Sequence, residues 1–215
     1  FAFVIWDSVK KELFGARDIF GIKPFYYYKN GDQFLFGSEI KSFLSHPCFV
    51  KELDESKIPE YLSYEYIPNE TTIFKNVYKL PGAHCFTYKD GKLSVERYYR
   101  IRYNIEEDKS LEYWEEAIQK EFTESVAMHQ ISDVEVGCFL SSGVDSSYVV
   151  REISKGTEKV KTFSVGYEEE KYSELPYAQK FSKTIGVENI SNKVSADEFF
   201  EAMPKIQYML DEPLP

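Results

Sequence analysis

The stretch CFLSSGVDSSYVV (138–150) constrains the fold of this chain more than any other. An apolar run stops at Leu140. Four serines, a glycine and an aspartate crowd into residues 141–147, and an apolar helical pattern then resumes. That order predicts a buried strand, a tight loop and a helix starting near Ser146. The text around it alternates in the same way. VEVGCFLS reads as a buried strand, SYVVREISKG as a helix closed by Gly156, and VKTFSVGY as a strand. SELPYAQKFSKTIG reads as a helix closed by Gly186, and NISNKVS as a weaker strand. A last helix starts at Ser195 with Glu198 in a capping box, and Pro204 is expected to kink or restart it. Such alternation implies a parallel sheet with right-handed crossovers.

The first hundred residues are built differently. FAFVIWD (1–7) reads as a strand buried on both faces, and Leu13–Arg17 as a second strand. FYYYKNGDQFLFGS reads as a hairpin turning at Asn30-Gly31, and PGAHCFTYKDGKLSVERYYR as one turning at Asp90-Gly91. EIKSFLS predicts a short helix, and Asp54 caps another that runs to about Tyr66. IRYNIEEDKS is polar and acidic, a linker. Ser110 then caps a long helix whose Leu111, Trp114, Ile118, Phe122 and Val126 recur at steps of three and four. The expected organisation is α+β over 1–100, a linker at 101–110, and α/β over 111–215. The start at FAFVIWD, without an initiator Met, reads as a strand entered midway, so an internal fragment is expected.

Bulk properties narrow the function. The 215 residues carry a formal net charge of −10, and no Lys/Arg cluster stands out, which disfavours nucleic acid as a partner. Cys48, Cys85 and Cys138 are scattered and read as reduced thiols of a cytoplasmic protein. His46, His84 and His129 do not pair with them at metal-ligand spacing. No apolar run approaches a membrane span, and no signal segment opens the chain.

In open α/β sheets, ligands bind beyond the carboxyl ends of strands, where SSGVDSS is predicted to lie. A helix N-terminus there suits an anion. Ser141, Ser142, Ser146 and Ser147 can donate to phosphate oxygens. Gly143 lets the backbone come close or take positive φ. Asp145 repels a bare phosphate, and Mg²⁺ bridging carboxylate and phosphates resolves that conflict. The competing reading is a plain capped helix start. No Walker pattern exists in the chain, which disfavours a P-loop kinase or GTPase.

SSGVDSS resembles the pyrophosphate-binding loop S-G-G-x-D-S of ATP pyrophosphatases. RDIFGIKPFYYY, FGSEIKSFLSHP, TIFKNVYKLPGAH, MHQISDVEVGCFLSSGVDSS, TFSVGY and DEPLP occur in the order seen in glutamine-dependent asparagine synthetases. The resemblance implies the back half of an Ntn-hydrolase (class II glutamine amidotransferase) antiparallel sandwich. The first part of an adenine nucleotide alpha hydrolase-like, Rossmann-like domain follows. It implies a ligase that uses ATP, Mg²⁺, aspartate and glutamine, forms β-aspartyl-AMP and releases AMP and pyrophosphate. A paralogous amidotransferase or a β-lactam synthetase acting on another carboxylate is the alternative. Residue by residue, it places Phe139 and Leu140 at the strand end near the nucleotide. By this resemblance, Ser141, Ser142, Gly143, Val144, Asp145, Ser146 and Ser147 are expected to hold the pyrophosphate part of ATP. The backbone of Val165 meets adenine, and Asp145 helps hold the metal. Most members carry Gly where Ser142 stands. The glutaminase cysteine and the SGEGSDE segment with the general base are expected outside these residues, so no catalytic residue is assigned and the piece alone is expected to be inactive. The family is often dimeric, which makes a homodimer compatible with it. Arg17 and Asp18 are expected to form a buried ion pair or a domain contact, and Asp211 and Glu212 to sit near the nucleotide or end a helix. YEEEK (167–171) is expected to be a solvated loop.

Overall fold

The aromatic first strand, β1 (Ala2–Asp7), pairs antiparallel with β2 (Glu12–Arg17) and lies at the edge of its sheet. It is not buried on both faces as its composition suggests: Phe1, Ile5 and Trp6 are each more than half exposed. An antiparallel sheet needs only one covered face, and here Ala2 and Val4 provide it by packing on Phe25, Leu80 and Phe86. This computed structural model describes residues 1–156, 160–169, 171 and 173–213.

β3 (Tyr26–Asn30) and β4 (Gln33–Gly37) form the first hairpin. Asn30 pairs with Gln33, so the turn is Gly31-Asp32, one residue later than the dipeptide reading, with Gly31 at φ +55°. EIKSFLS forms only a 3-10 turn, Ile40–Phe43. Asp54 accepts the Ser56 N–H and caps a 3-10 turn that runs into α1 (Ile58–Tyr64). β5 (Val77–Lys79), a short strand with little pattern of its own, adds to β3 and completes a sheet of order β4-β3-β5. β6 (His84–Lys89) and β7 (Lys92–Arg97) meet at Asp90-Gly91, both at positive φ, and finish the sheet β1-β2-β6-β7.

The loop after β2 is closed by its own side chains. Arg17 donates to the carbonyls of Lys23, Leu80 and Gly21 at 2.6, 2.6 and 2.7 Å. Asp18, buried, accepts the N–H groups of Phe20, Ile22 and Lys23 at 3.2, 2.9 and 3.0 Å. The expected ion pair between them is not formed among the described residues, because each is spent on backbone groups the loop would otherwise bury unpaired.

Ser110 accepts the Tyr113 N–H and caps α2 (Leu111–His129). Only the end of its apolar stripe is used: Phe122 and Val126 pack inward, while Leu111 and Ile118 stay exposed. β8 (Gly137–Phe139) is shorter than VEVGCFLS suggests. α3 (Val144–Gly156), β9 (Lys161–Tyr167), α4 (Leu175–Ile185) and β10 (Glu188–Val194) follow, and the three strands are parallel in the order β10-β9-β8. Gly186 closes α4 at φ +76°. α5 (Ala196–Leu210) begins with the expected capping box: Ser195 N–H donates to Glu198 at 2.8 Å, and Glu198 N–H to Ser195 Oγ at 3.2 Å. Pro204 neither breaks nor restarts it; the helix runs through.

The chain divides into two compact units, Phe1–Tyr103 with Met203–Pro215, and Asn104–Ala202. In the second, Val126, Cys138, Leu140, Val150, Ile153 and Ala178 form a core between α2, α3, α4 and one face of the sheet. The opposite face, carrying Phe139, Phe163, Val165, Tyr167 and Ile190, is exposed. No helix is long and apolar enough to cross a membrane.

Candidate functional site

The site lies in the second unit, at the carboxyl ends of β8 and β9. What fixes it is a buried polar chain across the sheet. Ser164 Oγ donates to the Leu140 carbonyl at 2.7 Å, and Leu140 N–H donates to the Phe163 carbonyl at 2.8 Å. Asn189 Nδ2 donates to Ser164 Oγ and Thr162 Oγ1, both at 2.9 Å. Thr162 is 0% exposed and Ser164 5%. Leu140, 3% exposed, is therefore held by core packing and by two hydrogen bonds at the point where the loop departs.

Beyond Leu140 the chain turns outward. Residues 141–145 are exposed, and Ser146 and Ser147 are half-buried. Ser141 Oγ and Ser146 Oγ lie 2.9 Å apart, Ser141 N–H donates to Ser146 Oγ at 3.2 Å, and Gly143 N–H donates to Ser141 Oγ at 3.1 Å. Ser146 Oγ and Ser147 N–H both donate to the Gly143 carbonyl at 3.2 Å. α3 starts at Val144, two residues before the expected start, so Asp145, Ser146 and Ser147 all stand in its first turn. The first N–H groups of a helix have no intrahelical acceptor. Gly143 does not take positive φ. An added Cβ there would sit 3.3 Å from Ser141 Oγ and face open space otherwise.

A cavity of about 240 Å³ opens beside the loop, lined by Leu140, Ser141, Ser146, Val165, Glu174 and Leu175 among others. Val165 is 60% exposed on the open sheet face, and Phe139 85%. The sequence-predicted residues Phe139, Leu140, Ser141, Ser146 and Val165 are thus brought to one cavity. Ser142, Gly143, Val144, Asp145 and Ser147 form the adjoining loop and helix turn rather than the cavity wall.

Asp145 is exposed, and no hydrogen bond or ion pair engages its carboxylate among the described residues. Nor does any group of three His, Cys, Asp or Glu there form a metal nest. This donor set fits Mg²⁺ held as that ion prefers, by one carboxylate together with substrate phosphates and water. It does not fit an all-protein metal centre.

Three residues escaped the sequence reading. Glu174, just before α4, accepts the Ser142 N–H at 3.1 Å. Its signal was only a helix-start acid. Ser164 and Asn189 were hidden inside strands; a hydroxyl on the buried parity of TFSVGY was the available clue. Asp211 and Glu212 belong to the first unit. Asp211, at φ +65°, ends α5 and accepts the N–H groups of Ile40 and Lys41 at 2.7 and 3.2 Å. Glu212 accepts from Tyr26 Oη at 3.1 Å and Lys79 Nζ at 3.3 Å. Burial, with Glu212 beside it, pushes the Tyr26 phenol well above its usual range. Glu168 and Glu169 of the acidic loop are exposed, while Glu170 lies outside the described residues.

Comparison with known proteins gives two matches along the chain. Residues 1–99 match the family described as glutamine amidotransferase domain, and residues 117–215 the family described as asparagine synthase. Asparagine synthetase [glutamine-hydrolyzing] 1 of Bacillus subtilis is 38% identical over all of this chain and 34% of its own length. Asparagine synthetase [glutamine-hydrolyzing] 3 of the same organism is 34% identical over 94% of this chain and 36% of its own length. Amidase chry2 of Gibberella zeae is 32% identical over 72% of this chain and 23% of its own length. The chain spans about a third of the length of the asparagine synthetases it matches. A solved structure, glutamine phosphoribosylpyrophosphate amidotransferase from B. subtilis, covers 84% of this chain and 30% of its own at 14% identity, with a TM-score of 0.25, too low to bear on the fold.

Proposed function

We propose, from the matches of residues 117–215 to the asparagine synthase family and of residues 1–99 to the glutamine amidotransferase domain, that the whole protein is an ATP-dependent, glutamine-hydrolysing asparagine synthetase of the cytoplasm. The observation that supports this best is the exposed hydroxyl loop at the carboxyl edge of a parallel sheet, with an unpaired Asp145 in the first turn of the following helix.

In this reading a side-chain carboxylate oxygen of aspartate attacks the α-phosphorus of ATP. The bond from that phosphorus to the bridging oxygen breaks, and pyrophosphate leaves with the electron pair. Ammonia released from glutamine then displaces AMP from β-aspartyl-AMP. Ser141, Ser142, Ser146 and Ser147 donate hydrogen bonds to the departing pyrophosphate, together with the free N–H groups of the α3 first turn. Gly143 lets the phosphates approach the backbone. Leu140 and Val165 supply an apolar wall for adenine, whose amino edge the strand backbone reads. Asp145 would hold Mg²⁺, which when bound supplies positive charge against the leaving group. Ser164, through the Leu140 carbonyl, keeps the strand end in register with the loop.

The match to a fungal protein named amidase chry2 favours a second reading, in which the same activation serves another carboxylate. Pyrophosphate release by the intact protein, with glutamine and ATP and with aspartate or other acids offered in turn, separates the two. Release that depends on aspartate supports the synthetase. Release with none of the acids, aspartate included, sinks both.

A further inference from the structure

Glu174 does not act as an ordinary helix cap. It sits at the N-cap position of α4, yet its carboxylate caps nothing in its own helix. It reaches to the SSGVDSS loop and takes the Ser142 N–H at 3.1 Å, and it lines the same cavity as Ser141, Ser146 and Val165. A carboxylate oxygen and a phosphate oxygen ask for the same donor in the same way. The loop read above as a pyrophosphate seat therefore already holds a negative group of the chain itself on one of its N–H donors. Glu174 is exposed, so its side chain can swing away without uncovering a core. Asp145 adds a second negative charge in the adjoining first turn of α3.

Two carboxylates around a diphosphate seat impose a rule on what enters. A bare pyrophosphate or triphosphate meets both charges. The same anion complexed to Mg²⁺ carries less charge and turns Asp145 from a repelling group into a ligand. From this we propose that Glu174 is a specificity-determining residue: it holds the Ser142 N–H in the empty loop, yields it to a magnesium-complexed diphosphate, and keeps the metal-free anion out. The proposal rests on the reading of residues 141–147 as the pyrophosphate seat. Gln at this position keeps an oxygen for Ser142 and the same length, and removes only the charge.

The test is calorimetric titration of the full-length protein with inorganic pyrophosphate, with Mg²⁺ and with the metal chelated. Wild type, Glu174→Gln and Asp145→Asn are compared. Wild type is expected to bind the magnesium complex and to bind metal-free pyrophosphate at least tenfold more weakly. Glu174→Gln is expected to tighten metal-free binding about fivefold or more, the order expected for removing one like charge at contact distance in water, and to change magnesium-dependent binding less than twofold. Asp145→Asn should weaken the magnesium-dependent binding. If Glu174→Gln leaves the metal-free affinity unchanged, or weakens both affinities together, Glu174 is a structural tether and the proposal is overturned. If wild type binds no pyrophosphate under either condition, the phosphate seat itself falls and the proposal with it. The Ser142 amide resonance gives a second readout: it should shift on pyrophosphate addition in wild type, and Glu174→Gln alone should move it in the absence of ligand.

Discussion

Asp18 and Asp145 look alike in sequence: each lies within three residues of a glycine in a segment that follows a β-strand, in RDIFGIKP and SSGVDSS. Their surroundings are opposite. Asp18 is 8% exposed and filled by three backbone N–H groups of its own loop. Burial alone would raise its pKa; the N–H groups of Lys23 and Ile22 outweigh that and hold it well below the usual carboxylate range. Asp145 is exposed and has no hydrogen-bond partner among the described residues. A carboxylate whose lone pairs are all used by its own backbone holds a loop closed. One left open beside hydroxyls and a helix N-terminus is available to a ligand. Residue type is shared; the number of lone pairs left over decides the role.

The comparison predicts that the two positions fail differently. Asp145→Ala should cut pyrophosphate release by the intact protein about 10²–10³-fold, while moving stability by no more than about 0.5 kcal/mol, as exposed sites usually do. Steady-state kinetics beside a thermal melt measure both, and an equal loss in ATP affinity and turnover would break the assignment of Asp145 to the leaving group. Asp18→Ala should do the reverse. Leaving three loop N–H groups without an acceptor should cost about 3 kcal/mol, read by urea unfolding, with pyrophosphate binding at the loop unchanged. Because the folded pKa of Asp18 is depressed, its contribution is present above the unfolded value and lost as pH falls below about 4. The melting temperature of Asp18→Ala should therefore depend less on pH in that range than wild type.

Asp211 offers a third case. Its side chain, 6% exposed, accepts from the N–H groups of Ile40 and Lys41 and pairs with Lys41 Nζ at 3.2 Å. It resembles Asp18, not Asp145, so Asp211→Ala should lower stability by about 2 kcal/mol and leave metal-dependent pyrophosphate binding intact. A selective loss of that binding would instead place Asp211 near the nucleotide. The smallest effect is expected at Ser164→Ala, which unpairs the Leu140 carbonyl. About 1 kcal/mol of stability and a several-fold loss in pyrophosphate affinity are expected. Ser164→Thr, which keeps the hydroxyl, should restore affinity if the bond to Leu140 matters.

Much of the local structure was legible because it is encoded locally. Ser110 and Ser195-Glu198 announce helix starts, Gly186 a helix end, and Asp90-Gly91 a hairpin, each through groups a few residues apart. What failed was whatever depends on a distant neighbour. β1 reads as doubly buried but forms an edge, because nothing in FAFVIWD says how many strands flank it. The α2 stripe is continuous in sequence, yet only Phe122 and Val126 find partners. β5 has little pattern of its own and exists because β3 offers a free edge. Pro204 stays inside α5, against its local preference.

By itself, then, the order of residues settled the two building styles, the position of the hydroxyl loop between a strand and a helix, and the residue types that stand in that loop. It could do so because strand and helix periods, caps and tight turns are short-range properties of the backbone. Only the folded chain decided which carboxylates are already satisfied and which are free, that Glu174 would cross to Ser142, and that Ser164 and Asn189 would hold Leu140. The Ser164–Leu140, Asn189–Ser164 and Glu174–Ser142 pairings join residues 24 to 32 positions apart. They follow from which strands lie side by side, and no local pattern carries that information.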